Sequence, residues 1–334
     1  MTYQPNEGRY GSMVYHHCGA SGLKLPAVSL GMWHNFGTHD DFDNMEQLCF
    51  TAIDYGVTHF DLDNNYGPIP GSAEENFGRI INHQLKPYRD ELIISTKAGY
   101  DMWPGPYGDG GSRKYMLASL DQSLKRMELD YVDIFYHHRM DFETPLEESM
   151  MALDTAVKSG KALYAGISNY DSKHTAKAMK ILKELRCPFI INQVNYSIFN
   201  RFIEEDGLKS FAAKNGCGLI AFSPLAQGML TNRYLEGVPE DSRVKKSGVF
   251  LKNTDLTPER MEQIQQLSDI AKERGQSLAQ MALSWVLRDG EVTSVLIGAS
   301  KPEQLLENLK AIRNIDFSHK ELKEIDRISG GGSS

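Results

Sequence analysis

Short runs of Ile, Val and aromatic residues alternate with longer amphipathic stretches along most of this chain. The short runs are nearly continuous in apolar residues, as in parallel strands that are covered on both faces. We therefore predict eight buried strands. They are VSLG (28–31), HFDLD (59–63), ELIISTKA (91–98), VDIFYHH (132–138), ALYAGIS (162–168), FIINQV (189–194), LIAFSP (219–224) and TSVLIGAS (293–300).

Between these runs, apolar residues recur every three or four positions, which predicts amphipathic helices. Gly56 stands where a helix C-cap is expected. The predicted helices cover residues 43–56, 113–127, 145–160, 171–185 and 277–289. An alternation of this kind through eight strands favours a closed (β/α)8 TIM barrel over an open doubly wound sheet.

Two segments depart from the simple alternation. Residues 12–27 hold two short apolar runs around a Gly-containing turn, which predicts a β-hairpin before the first barrel strand. Residues 225–257 form a polar connection after the seventh strand that is longer than an ordinary loop, so we expect it to be functional. Although 334 residues would suffice for two domains, barrels of this length are common. We predict a single domain over residues 1–329 and a flexible tail at 330–334.

Composition excludes several classes of function. The net charge is −8 and no long basic block is present, which disfavours binding to nucleic acid or to an anionic membrane. No apolar run approaches the roughly 18 residues of a membrane span, and the polar first residues lack the core of a secretory signal. The four cysteines are scattered among apolar or small neighbours. We therefore expect reduced, buried thiols in a cytoplasmic protein.

Polar or ionisable residues end seven successive predicted strands, from the second to the eighth. In a (β/α)8 barrel, chemistry collects at the C-terminal ends of the strands. Asp and Asn also end strands as ordinary turn residues, but that explanation does not account for a Lys, a His and a Gln in apolar strand ends. The residues concerned are Asp61, Asp63, Tyr66, Lys97, His137, His138, Ser168, Asn169, Gln193, Phe222, Ser223, Gly298 and Ser300.

These residue types suit protonation of a carbonyl oxygen while hydride reaches its carbon. A tyrosine phenol has an ordinary pKa of about 10, and a neighbouring Lys⁺ is expected to lower it toward neutrality. An Asp paired with the Lys would hold it in place, and a His could donate a hydrogen bond to the carbonyl oxygen. Asp63 has the same side-chain parity as Asp61, but we interpret it as a turn or rim residue.

A metal site is the main rival interpretation. The pairs His137–His138 and His16–His17 could suggest a metal, but adjacent strand residues point to opposite faces and chelate poorly together. Neither pair is accompanied by a Cys or acidic cluster. We predict no metal.

The motifs resemble those of the aldo-keto reductases over essentially the whole chain. GVTHFDLDNNYG resembles the family segment that carries the catalytic Asp and, five residues later, the catalytic Tyr, which implies Asp61 and Tyr66. STK implies Lys97, and the end of the fourth strand implies His138 as the catalytic His. This resemblance implies a proton-donating tetrad.

The same resemblance implies a binding site for NADPH. GISN resembles the carboxamide-binding pair, FSPLAQGML the nicotinamide-stacking and pyrophosphate segment, and IGASKPEQLLEN the adenosine-phosphate end. The implied cofactor residues are Trp33, Asp61, Ser168, Asn169, Gln193, Phe222, Ser223, Leu225, Gly228, Arg233, Arg243, Gly298, Ser300, Lys301, Gln304, Glu307 and Asn308.

The implied substrate is a small aldehyde such as L-glyceraldehyde 3-phosphate or methylglyoxal. Its expected contacts are Trp33, Tyr66, His138 and Arg139, although Trp33 could pack in the core and Arg139 could form a rim salt bridge. LGMWHNFG, NNYGPIPGSAEENFG and YVDIFYHHRMD resemble the family branch that contains bacterial L-glyceraldehyde 3-phosphate reductases and potassium-channel β subunits. That branch implies a homo-oligomer, a tetramer or octamer. The alternative function is a redox-sensing regulatory subunit that binds NADPH.

Overall fold

The barrel predicted from the alternation of elements is confirmed. The computed structural model describes residues 3–231 and 257–331, and in it eight parallel strands close into a barrel. Each strand pairs with the next along the chain, and the last pairs with the first. The barrel strands are β3 (Val28–Gly31), β4 (His59–Asp61), β5 (Ile93–Ala98), β6 (Val132–His137), β7 (Ala162–Ser168), β8 (Phe189–Asn195), β9 (Gly218–Phe222) and β10 (Ser294–Ile297).

Helices surround the barrel, and the five predicted helices are all present, that over 113–127 with the predicted ends and the other four with ends shifted by one or two residues. The predicted C-cap glycine, Gly56, has a φ of 80°, a left-handed conformation that glycine adopts without strain. The helices are α1 (Phe42–Asp54), α2 (Ser72–Ile80), α3 (Arg113–Met127), α4 (Leu146–Lys158), α5 (Ser172–Glu184), α6 (Phe202–Glu205), α7 (Leu208–Asn215), α8 (Pro258–Glu273), α9 (Leu278–Leu287), α10 (Pro302–Leu309) and α11 (His319–Ser329).

Several predicted strand ends were wrong, for identifiable reasons. β4 ends at Asp61 rather than at residue 63, because its pairing with β3 ends there. Leu62 still donates its backbone N–H to Ser95 O of β5, at 2.9 Å. β9 ends at Phe222 rather than at residue 224 because Ser223 has a left-handed φ of 52°. Residues 86–91 form a 3-10 helix, which delays the start of β5. β6 and β10 stop short of the predicted ends, and β8 extends one residue further.

The predicted N-terminal hairpin is present and lies at the N-terminal end of the barrel. It consists of β1 (Tyr15–His17) and β2 (Lys24–Pro26), which pair in antiparallel fashion. Nδ1 of His16 lies 3.0 Å from the carbonyl oxygen of Thr293, just before β10. The backbone of Ala20 donates to Gly216 O, just before β9. The opposite end, where the strands finish, is left accessible.

The core has two parts. A large apolar cluster fills the space between sheet and helices, and a smaller cluster that includes Cys18, Leu25 and Ile134 occupies the barrel near the hairpin. The four cysteines are buried and unpaired, as expected.

Within residues 3–231 and 257–331, no helix is both long and apolar enough to cross a membrane. The same residues form no group of three or more His, Cys, Asp or Glu side chains able to hold a metal ion. Most of the predicted long connection, with Arg233 and Arg243, lies outside the described residues, as do residues 332–334 of the predicted tail.

Candidate active site

A cavity of about 770 Å³ opens at the C-terminal ends of the barrel strands. It is lined by residues at or just beyond the ends of all eight barrel strands, as the strand-end residues predicted for the second to the eighth. Twelve of the predicted site residues line it: Trp33, Asp61, Tyr66, His138, Asn169, Gln193, Phe222, Ser223, Leu225, Gly228, Gly298 and Gln304.

Asp61, Lys97 and Tyr66 form one hydrogen-bonded chain. Nζ of Lys97 donates to Oδ2 of Asp61 at 2.6 Å and to the hydroxyl oxygen of Tyr66 at 3.2 Å. Its third bond goes to the carbonyl oxygen of Leu62 at 2.6 Å. All three donor positions of the ammonium are therefore used, and its location relative to the phenol is fixed.

A polar network inside the barrel supports the Asp61 carboxylate. Oδ1 of Asp61 accepts from Oγ of Ser95 at 2.7 Å and from Nε2 of Gln193 at 3.1 Å. Ser95 is in turn 2.9 Å from Nε2 of His59, whose Nδ1 lies 2.9 Å from Oγ of Ser29. Burial lowers the pKa of His59 to about 4, so this imidazole is neutral at physiological pH. The carboxylate is thus held by three donors, Lys97, Ser95 and Gln193.

We expected Lys97 to lower the pKa of Tyr66, and this prediction is wrong. Burial raises the pKa of Tyr66 above its ordinary value, and the nearby Lys97 opposes this only in part. Burial would lower the pKa of Lys97, but the carboxylates of Asp61 and Asp63 and the Tyr66 phenol together raise it above its ordinary value. Tyr66 is therefore a neutral phenol that retains a proton to donate, beside a lysine that stays charged.

The His138 ring packs against the ring of Tyr66 and lines the same cavity. Its ring centroid lies 6.2 Å from that of Tyr66, edge to face, and 4.7 Å from that of Tyr100. Asp63 makes the turn contact that we expected, since its Oδ1 accepts from the backbone N–H of Asn65 at 2.9 Å. Its Oδ2 also lies 2.5 Å from Nδ1 of His138, a contact that we did not expect.

The neighbouring His137 points away from this group. Its Nδ1 lies 2.7 Å from the hydroxyl of Tyr170. Burial lowers the pKa of His137 to about 4. The two adjacent histidines thus have separate partners on opposite faces of the strand, as their alternation predicted.

A strained turn follows β9 along one wall of the cavity. Ser223, Ala226 and Gln227 have φ values of 52°, 47° and 59°, in the left-handed region that non-glycine residues rarely adopt. Gly228 follows at 97°. Such clustered strain is typical of ligand-binding segments, and successive backbone N–H groups in this kind of turn can form a concave anion site.

The far end of the cavity reaches the start of α10. Oε1 of Gln304 accepts from both the backbone N–H and the hydroxyl of Ser300, at 2.8 and 3.1 Å. Lys301 is the exposed N-cap residue of this helix, and Asn308 is buried with its Nδ2 lacking a partner among the described residues. Glu307 pairs instead with Lys310. The helix N-terminus favours an anion.

Of the predicted site residues that the structure describes, seven do not line the cavity. Lys97 and Ser168 lie behind its wall: Lys97 bonds to Tyr66, and Oγ of Ser168 accepts from Asn169 at 3.2 Å. Arg139 forms a two-pronged ion pair with Asp109 at the rim, at 2.8 and 2.9 Å. The others are Ser300, Lys301, Glu307 and Asn308.

Sequence reasoning missed several cavity residues. Trp33 lines the cavity as expected. His34, which we did not predict, lines it too, and its ring centroid lies 4.3 Å from that of Trp33. Tyr100 and Asn195 also lie at or just beyond a strand end. The search for polar and aromatic residues at strand ends would have found them if it had included one or two more residues after each predicted strand. Other missed lining residues are Gly31, Asn65, Pro224, Gln227, Thr231, Leu296 and Ile297.

Comparisons with known proteins agree with this architecture. The model of the aldo/keto reductase family matches residues 27–329. The L-glyceraldehyde 3-phosphate reductase of Escherichia coli K12 is 56% identical, over 99% of this chain and 97% of that protein. Probable voltage-gated potassium channel β subunits are more distant. The one from Oryza sativa is 35% identical over 95% of both chains, and the one from Arabidopsis thaliana is 35% identical over 90% of this chain and 91% of its own.

The resemblance stated from the motifs is therefore confirmed over nearly the whole length. The family match covers every barrel strand, and the Escherichia coli relative aligns with 99% of the chain. This chain belongs to the aldo/keto reductase family of oxidoreductases.

Proposed function

We propose that this protein reduces small aldehydes to alcohols with NADPH, and that L-glyceraldehyde 3-phosphate is its principal substrate. The observation that carries the proposal is the contact of Lys97 with both Asp61 and the Tyr66 hydroxyl at the wall of the cavity. Methylglyoxal is a second expected substrate, since it offers the same carbonyl in a smaller molecule.

The residues at both ends of the cavity fit NADPH. Trp33, Phe222 and Ser223 border the inner part, where Gln193 and Asn169 offer amide groups to a carboxamide. Ser168, behind the wall, accepts a hydrogen bond from Asn169. The left-handed turn with Leu225 and Gly228 suits a pyrophosphate. The buried, unpartnered Nδ2 of Asn308, with Ser300, Lys301, Gln304 and Glu307 near it in sequence, suits the adenosine end. Bound there, NADPH supplies the hydride.

The chain's own side chains manage the proton. Tyr66, as a neutral phenol, donates its proton to the carbonyl oxygen, and the charge left on the phenolate is stabilised by Lys97. Asp61 keeps Lys97 in place and charged. His138, across the ring of Tyr66, donates a hydrogen bond to the same carbonyl oxygen. Each of these contributions is larger in the transition state than in the ground state, which is the condition for faster chemistry.

The relatives support the choice of substrate. The Escherichia coli relative, at 56% identity, is a reductase of L-glyceraldehyde 3-phosphate, whereas the channel subunits share 35%. Arg139, which we proposed for an anionic substrate, is already paired with Asp109, so a role for it requires that this exposed pair open. Exposed pairs of this kind are weak enough to do so.

Steady-state oxidation of NADPH with a panel of aldehydes tests the proposal. We expect the highest kcat/KM for L-glyceraldehyde 3-phosphate, lower values for methylglyoxal, and lower still for D-glyceraldehyde 3-phosphate. Tight NADPH binding without turnover of any aldehyde would instead support the regulatory-subunit alternative.

Three further expectations remain predictions. They are the single domain over 1–329 with a tail at 330–334, a cytoplasmic location, and assembly into a tetramer or octamer. Light scattering of the purified chain measures the assembly directly.

A further inference from the structure

Asp63 and His138 approach each other through two buried side-chain atoms, and neither atom has a hydrogen-bond partner among the described residues. Oδ2 of Asp63 lies 2.5 Å from Nδ1 of His138. The Asp63 side chain is 0% exposed and that of His138 is 12% exposed. Two atoms with lone pairs repel each other at this distance unless a proton lies between them.

The surroundings of Asp63 favour its ionised form. Its other oxygen, Oδ1, accepts the backbone N–H of Asn65 at 2.9 Å, a bond that stabilises a carboxylate. A buried carboxylate without a compensating cation is strongly unfavourable. The proton between the two residues therefore belongs on Nδ1 of His138.

The other charged groups near His138 already have partners. Lys97 is bonded to Asp61, and Arg139 is paired with Asp109 and bonded to Gly99 O.

The remaining titratable neighbours within residues 3–231 and 257–331 offer no competing cation. The rings of Tyr66 and Tyr100 pack edge to face against His138. His137 is directed to Tyr170, and burial lowers its pKa to about 4. The cation-forming group that touches Asp63 is therefore His138 itself.

We infer that Asp63 is a positioning residue that holds His138 as a doubly protonated imidazolium facing the cavity. With Nδ1 protonated toward Asp63, a neutral ring would present a bare Nε2, which can only accept a hydrogen bond. A ring that donates to a carbonyl oxygen must then carry a proton on Nε2 as well. The charges of Asp61, Lys97, Asp63 and His138 cancel in this arrangement. The inference about the ring's charge stands on geometry, and its role in reduction rests on the proposed function.

Nitrogen-15 NMR of the histidine side chains at about pH 7 tests the charge without any substrate. The protein has 10 histidines, so comparison with His138→Gln identifies the signals of interest. We expect both ring nitrogens of His138 to carry protons in the parent and only one to do so in Asp63→Asn. A neutral His138 ring in the parent would overturn the inference, and this result needs no enzymatic activity from any variant.

The kinetics of Asp63→Asn distinguish an effect of the negative charge from an effect of ring orientation, because the amide is nearly isosteric and can still orient the His138 ring. We expect kcat to fall at least roughly tenfold and the alkaline limit of kcat/KM to move to lower pH, with unchanged NADPH affinity. Asp101→Asn removes an equal charge from an exposed position in the loop after β5 and is the matched control. Equal pH profiles in Asp63→Asn and the parent would contradict the role of Asp63. Absence of reductase activity in a parent whose His138 is an imidazolium would contradict the proposed function but not the charge pair.

Discussion

Lys97 and Asp61 form an ion pair inside the barrel, with Nζ 2.6 Å from Oδ2 and side chains that are only 0% and 2% exposed. An isolated charge in such a place is costly, so each residue is stable as an ion because of the other. The same ammonium also donates to the Tyr66 hydroxyl, so the residue that stabilises the buried Asp61 carboxylate is also the one that contacts the proposed proton donor.

Replacement of Lys97 by Met is expected to damage both properties. Carbonyl reduction should fall by roughly 10²–10⁴-fold, because the phenolate formed on Tyr66 loses its counter-charge. The free energy of unfolding should fall by about 3–5 kcal/mol, because the Asp61 carboxylate is left buried and unpaired. Urea denaturation and NADPH oxidation measure the two effects.

The double variant Lys97→Met/Asp61→Asn distinguishes these effects. Removal of the unpaired carboxylate should restore much of the lost unfolding free energy and none of the activity. If the double variant is no more stable than Lys97→Met, the ion pair is not what stabilises Asp61. Recovered activity in the double variant would contradict the assignment of Lys97.

The N-terminus of α10 should determine the preference for NADPH over NADH. Lys301 is exposed beside Ser300 at that terminus, where a helix favours a phosphate. We expect Lys301→Ala to weaken NADPH binding roughly tenfold and to leave NADH binding unchanged.

Lys310, paired with Glu307 at the other end of the same helix, supplies the control. Lys310→Ala should alter neither affinity, as measured by fluorescence titration. Equal losses for both cofactors in Lys301→Ala would mean that the lysine does not contact the 2′-phosphate.

Two buried histidines should make the protein acid-sensitive. Burial lowers the pKa of both His59 and His137 from 6.5 to about 4. In the unfolded chain these rings gain protons as the pH falls below about 6.5, whereas in the folded chain they gain them only near pH 4. The free energy of unfolding should therefore decrease as the pH falls through this window, by up to about 1.4 kcal/mol per pH unit for each ring.

His137→Asn isolates one of these contributions, because Asn can keep the bond to Tyr170 without titrating. Urea unfolding between pH 6.5 and 4 should show a shallower decline in this variant than in the parent. The exposed His83→Asn is the control and should follow the parent. A parent and a His137→Asn variant with the same slope would contradict the linkage.

Hydrophobic patterning was sufficient to predict the barrel, because eight nearly continuous apolar runs and the helices between them have few other ways to bury their surfaces. It could not predict where strands end, since Ser223 leaves β9 through a backbone angle that its residue type disfavours. The motifs identified Asp61, Lys97 and Tyr66 correctly as neighbours. The contact of Asp63 with His138 was not predicted, because it joins the ends of two strands that are not adjacent in the barrel.

The Tyr66→Phe variant tests the central claim most directly. The change deletes only the hydroxyl bonded to Lys97. Tyr131→Phe is the matched control, because Tyr131 directly precedes β6 and does not line the cavity. NADPH oxidation with L-glyceraldehyde 3-phosphate should fall by roughly 10²–10⁴-fold in Tyr66→Phe, with NADPH affinity unchanged and Tyr131→Phe equal to the parent. A Tyr66→Phe enzyme that keeps half of the parent's kcat would contradict the account.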